Sequence, residues 1–211
     1  MNTPIYNMRP RSHSAIPDVI FVLLVANGLV FALQNFPFSQ MVVHKFLALW
    51  PIGSRYTDFY PWQLLTYGFL HGGVTHILFN MFMLWMFGRE LAVMMGTKRF
   101  LTYYLTGVVG AGIVQLIVAA FQGGDYPTVG ASGGVFALLL AFGMAFPNRM
   151  IMLVFPPIPM KAKYMVILFG LLELYMGVSG GAPGVANFAH LGGMLFGFLL
   201  LRYWTVSGRR G

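Results

Sequence analysis

The chain contains no cysteine, which excludes disulfide staples, thiolate nucleophiles and cysteine-ligated metals. Charge is scarce too. Only 9% of the 211 residues are Asp, Glu, Lys or Arg, and only 5 are acidic. A soluble domain carries about 25% charged residues. The formal net charge is +8, yet no long basic or polar tract is present to bind nucleic acid. A His-Glu-x-x-His pattern is also missing, so the histidines do not read as a zinc site. No signal-peptide cleavage pattern follows the first apolar run, which is therefore expected to stay as a span. What is present is apolar: 58% hydrophobic residues, 16% aromatics and a mean hydropathy of +0.73. Composition and length suit a single membrane domain.

Six apolar segments can be read, each near the ~20 residues that span a bilayer as a helix. They run over about 18–36, 64–87, 100–121, 130–146, 163–178 and 188–204. The fold class expected is an all-α membrane protein, with a six-helix membrane domain over 18–205 between cytoplasmic tails 1–17 and 206–211. With the N-terminus inside, Arg9, Arg11, Arg89, Lys98, Arg99, Arg149, Lys161, Lys163, Arg202, Arg209 and Arg210 are cytoplasmic, and only Lys45 and Arg55 lie outside. The first loop, 37–63, is rich in Phe, Trp, Tyr and Pro, and its stretch 41–50 suits a helix lying in the interface. The short Gly-rich third loop, 122–129, is expected to dip inward. The proline-rich stretch 151–159, with Pro156, Pro157 and Pro159, reads as a packed cytoplasmic connection.

The stretch Gly130-Ala131-Ser132-Gly133-Gly134-Val135-Phe136-Ala137 organises the reading. A hydroxyl at hydrocarbon depth is expensive unless paired. Its expected partner is His190, at the start of the sixth segment. Segments two, four and six all run from outside to inside, which puts His71, His76, Asn80, Ser132 and His190 at similar depth on the outer side. Gly133, Ala137, Ala141 and Ala145 form a thin face on segment four, and Gly193 and Gly197 one on segment six; such faces let membrane helices approach closely.

Serine becomes a nucleophile when a base takes its proton. His190 is the candidate base. No third, carboxylate member is evident, since Glu173 faces an unknown direction, so a Ser-His dyad is expected. Acyl transfer also needs donors for the developing oxyanion. His76 and Asn80 share a helix face at i, i+4, and the Ser132 amide lies at a helix N-terminus. His71 is an auxiliary donor or shapes the cavity, and Phe136 packs on the imidazole. Taken singly, each has a plainer explanation: Asn80 as glue between helices, His76 as a satisfied histidine, the 15 methionines as filler. His13 and His44 fall outside the spans.

Together the residues resemble the rhomboid family of intramembrane serine proteases. The resemblance rests on Trp62 to His71, His76-Ile77-Leu78-Phe79-Asn80-Met81, Gly88-Arg89-Glu90-Leu91, Gly130-Ala131-Ser132-Gly133, and Ala189-His190-Leu191-Gly192-Gly193 through Gly197. It implies Ser132 as nucleophile, His190 as general base and an oxyanion hole from His76, Asn80 and the Ser132 amide. It also implies a bundle whose cavity opens outward, and transmembrane protein substrates cut near their outer ends in the lipid bilayer. Segment five and the cap over the third loop would be the mobile gate. No cofactor, metal or nucleic acid is implied. Some relatives carry Tyr at the place of Phe136, Arg at that of Gln63 and Glu at that of Ala92. The basic ends suit a bacterial-type inner membrane, with an organellar membrane as the alternative. The rival functions are a non-catalytic rhomboid-like binder of membrane helices, and a small transporter, for which no internal repeat is found.

Overall fold

The computed structural model describes residues 17–152, 157–180 and 186–207. The tail up to residue 16 (with Arg9, Arg11 and His13), Pro156, and Arg209 and Arg210 lie outside the described residues. Each of the six apolar segments contains a helix: α1 (Asp18–Gln34), α4 (Val74–Met95), α5 (Thr97–Gln122), α6 (Ser132–Ala145), α7 (Ala162–Ser179) and α8 (Asn187–Ser207). Two short helices lie between the first two of these, α2 (Gln40–Leu47) and α3 (Gln63–Thr66), the latter followed by one 3₁₀ turn at Tyr67–Phe69. Among the described residues, α4, α5 and α7 are long and apolar enough to cross a membrane, and α1 and α6 are apolar but shorter.

Three boundaries differ from the hydropathy reading. The apolar run 64–87 is not one helix. Its first residues form α3 and the 3₁₀ turn, the chain extends through Leu70, and α4 begins only at Val74 and continues to Met95. Gly72 and Gly73 explain the break, because glycine inside a helix is unfavourable and Gly73 is extended, with φ 164°. The helix of the first loop ends at Leu47, short of Trp50. The proline-rich connection carries a two-stranded antiparallel ribbon, β1 (Met150–Met152) with β2 (Pro159–Lys161), Met150 pairing with Lys161. The fold is thus mostly helical, with this one ribbon among the described residues.

Helix α6 sits at the centre, with Gly133, Gly134, Ala137, Leu138 and Ala141 among its buried residues. Small residues set how closely its neighbours approach. A Cβ at Gly193 of α8 would overlap the Gly133 carbonyl oxygen, and one at Gly197 would lie 3.1 Å from the Ala137 Cβ. A Cβ at Gly107 of α5 would lie 2.6 Å from that same Ala137 Cβ. Two buried tyrosines tie the layers by bonds to main-chain carbonyls: Tyr103 Oη donates to Ala137 O at 2.8 Å, and Tyr67 Oη donates to Val108 O at 2.6 Å. Each satisfies a hydroxyl that would otherwise be costly to bury.

Position 63 in the first loop is a glutamine, and it holds the loop through its amide. Gln63, fully buried, accepts the Trp50 N–H at 3.3 Å and donates to Lys45 O at 3.4 Å. Thr66 Oγ1 donates to Leu47 O at 2.8 Å, and Leu49 pairs with Thr128 of the third loop.

Replacing Gly193 with Val should cost about 1–3 kcal/mol or more, because the methyls have no room against the Gly133 backbone. Gly28→Ala on the exposed face of α1, where nothing lies within 4 Å, should be neutral or stabilising. Thermal unfolding in detergent checks the pair. Equal midpoints for the two variants would contradict this packing.

Candidate active site

Three helices, α4, α6 and α8, bring polar groups to one end of the bundle. His76 is the third residue of α4, Ser132 the first of α6 and His190 the fourth of α8, so all three lie in first turns. Ser132 Oγ and His190 Nε2 are 2.8 Å apart, a hydrogen-bond distance across 58 residues of sequence. The close approach of α6 and α8 at Gly133 and Gly193 produces this contact one turn away. The Phe136 ring lies parallel to the imidazole, centroids 4.4 Å apart and planes 5° apart. Both side chains line a cavity of about 720 Å³, together with His76, Asn80, Met165 and Phe169.

The environment of His76 selects its tautomer. The Gly72 N–H donates to His76 Nδ1 at 3.2 Å, so Nδ1 is the acceptor and Nε2 of the neutral ring carries the hydrogen. That Nε2–H faces the space beside Gly130. Gly130 has φ +133°, and a Cβ there would lie 3.0 Å from His76 Nε2 and 3.5 Å from Ser132 Oγ. One point thus sits within reach of a ring donor and the serine oxygen, and any side chain at position 130 would fill it. The Ser132 N–H, in the first turn of α6, has no partner within its own helix. Asn80 Nδ2 donates to His76 O at 2.9 Å, leaving one N–H of the amide for the cavity.

His71 is not brought to the cavity. It is fully buried behind His76, ring centroids 5.2 Å apart. Its backbone is clamped by the Gln34 amide, which accepts its N–H at 2.9 Å and donates to its carbonyl. Both ring nitrogens are buried without a hydrogen-bond partner.

Hydropathy did not orient Glu173, and here the structure adds most. Glu173 Oε2 lies 3.0 Å from His190 Nδ1, with only 8% and 12% of the two side chains exposed. The contact is off the line of a straight hydrogen bond. Asn187, one turn before His190, donates to the same Oε2 at 2.7 Å. The signal available in the sequence was a carboxylate inside an apolar run, one of only 5 acids in the chain, with Asn187 and His190 at i, i+3. Among the described residues, no group of three His, Cys, Asp or Glu side chains stands close enough to hold a metal.

The sequence profile of the Rhomboid domain matches residues 58–206. The chain belongs to the rhomboid family. This rhomboid is similar to Rhomboid protein 1, mitochondrial, of Saccharomyces cerevisiae: 29% identical over 200 residues, covering 90% of this chain and 54% of the relative. It is similar also to the Presenilin-associated rhomboid-like protein, mitochondrial, of Mus musculus: 26% over 181 residues, 86% of this chain and 47% of the relative. With Rhomboid protease GluP of Bacillus subtilis it is 33% identical over 139 residues, 65% of this chain and 25% of the relative. The rhomboid chain thus spans about half the length of the two mitochondrial relatives and a quarter of the Bacillus one. Family and composition together make it an integral membrane protein.

Outside the helices, the third loop that leads to Ser132 is pinned to the first. Arg55 Nε lies 3.1 Å from Asp125 Oδ2, and the Arg55 backbone N–H donates to the same oxygen at 3.2 Å. The Ser54 hydroxyl, then Arg55, hold the Asp125 carboxyl below its ordinary range. A lowered folded value means that the pinning is present above the ordinary carboxylate pKa and is lost as pH falls through the lowered one. Protection from hydrogen exchange in residues 123–129, taken relative to the intrinsic rate, should therefore fall as pH drops below the ordinary carboxylate range of about 4. In Asp125→Asn it should be low already at neutral pH. Unchanged exchange in that variant would contradict the pinning.

Proposed function

We propose that this rhomboid is an intramembrane serine endopeptidase, with Ser132 as nucleophile and His190 as general base. The observation that carries the reading is the 2.8 Å contact between Ser132 Oγ and His190 Nε2 in a cavity that also presents the His76 Nε2–H. The reaction is acyl transfer. His190 Nε2 takes the serine proton as Oγ bonds to the scissile carbonyl carbon. The oxyanion sits beside Gly130, among the His76 Nε2–H, the Ser132 N–H and the second Asn80 N–H. The C–N bond then breaks, His190 returns the proton to the leaving amine, and water hydrolyses the acyl-enzyme by the same route. Phe136 keeps the imidazole plane fixed, and His71 supports His76 from behind.

The substrates are membrane proteins whose transmembrane helices reach the cavity near its outer mouth. Six helices cross the bilayer, α1, α4, α5, α6, α7 and α8, and α2 lies in the interface. The segments before α1 and after α8 are cytoplasmic and the cavity opens to the other side. The bias of Lys and Arg supports this orientation. So does the ion pair of Arg149 with Glu90 at 2.9 Å, which joins the inward ends of α4 and α6. The mitochondrial names of two relatives widen the setting from a bacterial inner membrane to organellar ones.

In liposomes, the wild type should cleave a single-pass reporter whose helix carries small residues near its outer end. Ser132→Ala and His190→Ala should each lose about 10³-fold or more. Since a base must be neutral to act, wild-type activity should fall on acidification. A flat profile down to about pH 5 would count against His190. A folded protein that binds the reporter without cutting it would favour the non-catalytic helix binder.

A further inference from the structure

We propose that Glu173 is a third member of the reacting array, a positioning residue on α7 that holds the His190 imidazole with its proton on Nδ1. The proposal rests on the serine-protease reading. It extends that reading from a Ser-His pair on α6 and α8 to a three-helix array.

A carboxylate buried in an apolar bundle is destabilising by several kcal/mol unless it is paired and hydrogen-bonded. Glu173 is buried near the middle of α7 and turns away from the apolar surroundings of that helix. Both its partners come from the first turn of α8, Asn187 at 2.7 Å and His190 Nδ1 at 3.0 Å, and both meet the same oxygen, Oε2. Asn187 therefore fixes the oxygen that the imidazole faces.

His190 Nε2 is committed to Ser132 Oγ. To accept the serine proton, Nε2 must present its lone pair, so the hydrogen of the neutral ring must sit on Nδ1. A carboxylate beside Nδ1 favours that tautomer, and it stabilises the imidazolium formed when the serine proton arrives. The bent approach leaves the ring plane for Phe136 to fix, and its parallel stacking supplies that restraint. A carboxylate that merely glued α7 to α8 could have met Asn187 alone; the same oxygen also faces the ring nitrogen opposite the reacting one.

Two measurements test this. Reporter cleavage is compared for wild type, Ser132→Ala, Glu173→Gln and Glu173→Asp, with KM and kcat separated. Glu173→Gln keeps the size but not the charge, and should lower kcat by about 100-fold or more with little change in KM. Glu173→Asp should recover part of that loss. In parallel, ¹⁵N spectra of histidine-labelled wild type in lipid report the His190 tautomer, the signal being assigned with His190→Gln. The neutral ring should carry hydrogen on Nδ1. Cleavage lost in Ser132→Ala but unchanged in Glu173→Gln overturns the role of Glu173 and leaves the protease reading standing. Cleavage that survives Ser132→Ala overturns both. Should Glu173→Gln fail to fold, the wild-type spectrum decides: an Nε2–H tautomer overturns the proposal.

Discussion

Backbone meets backbone where Gly193 of α8 lies against the Gly133 carbonyl of α6, and the geometry of the candidate site follows from that approach. No side chain fits between the two helices there. Ser132 precedes Gly133 by one residue, and His190 precedes Gly193 by three. Once the glycines touch, hydroxyl and imidazole have little freedom to separate, and they come to 2.8 Å. Gly107 extends the same thin contact to α5, against Ala137. In lipid, where apolar surface gives helices little reason to associate, close packing of this kind holds a bundle together. The stripe that stabilises the fold thereby also sets the distance between Ser132 and His190.

Around that contact several buried polar groups are paired. Tyr103 and Tyr67 bond to carbonyls in the helix layers. Gln34 and Gln63 serve the extended chain before α4 and the first loop, where main-chain groups have no helix to satisfy them. His76 has its Nδ1 occupied by a backbone N–H, which frees Nε2–H for the cavity. His190 is oriented from three sides: Ser132 on Nε2, Phe136 on its face and Glu173 near Nδ1. In the proposed mechanism the two imidazoles take opposite tautomers, His76 presenting a donor to the cavity and His190 a lone pair to the serine.

Much of this was legible in the residues. Long apolar runs mark helices because lipid leaves a spanning backbone few other ways to satisfy its polar groups. Ser132, His190, His76 and Asn80 stand out because such residues are uncommon inside apolar runs. The start of α4 was not legible, since Leu64 to Leu70 is as apolar as a helix would be and only Gly72-Gly73 hints at the break. The β1–β2 ribbon was hidden because Ile151 and Met152 are apolar whether helical or extended. The direction of Glu173 could not be read because α7 is apolar nearly all round, leaving no polar face to fix its rotation. Only the contact with Asn187 and His190 supplies it.

The central claim is that Ser132 is an activated nucleophile. The direct measurement is covalent labelling with a fluorophosphonate probe, in detergent and in liposomes, with the adduct mapped by mass spectrometry. It needs no knowledge of the natural substrate. The account predicts one adduct, on Ser132, in the wild type and none in His190→Ala. Folded wild-type protein that takes no label, or label that persists in Ser132→Ala, would contradict it.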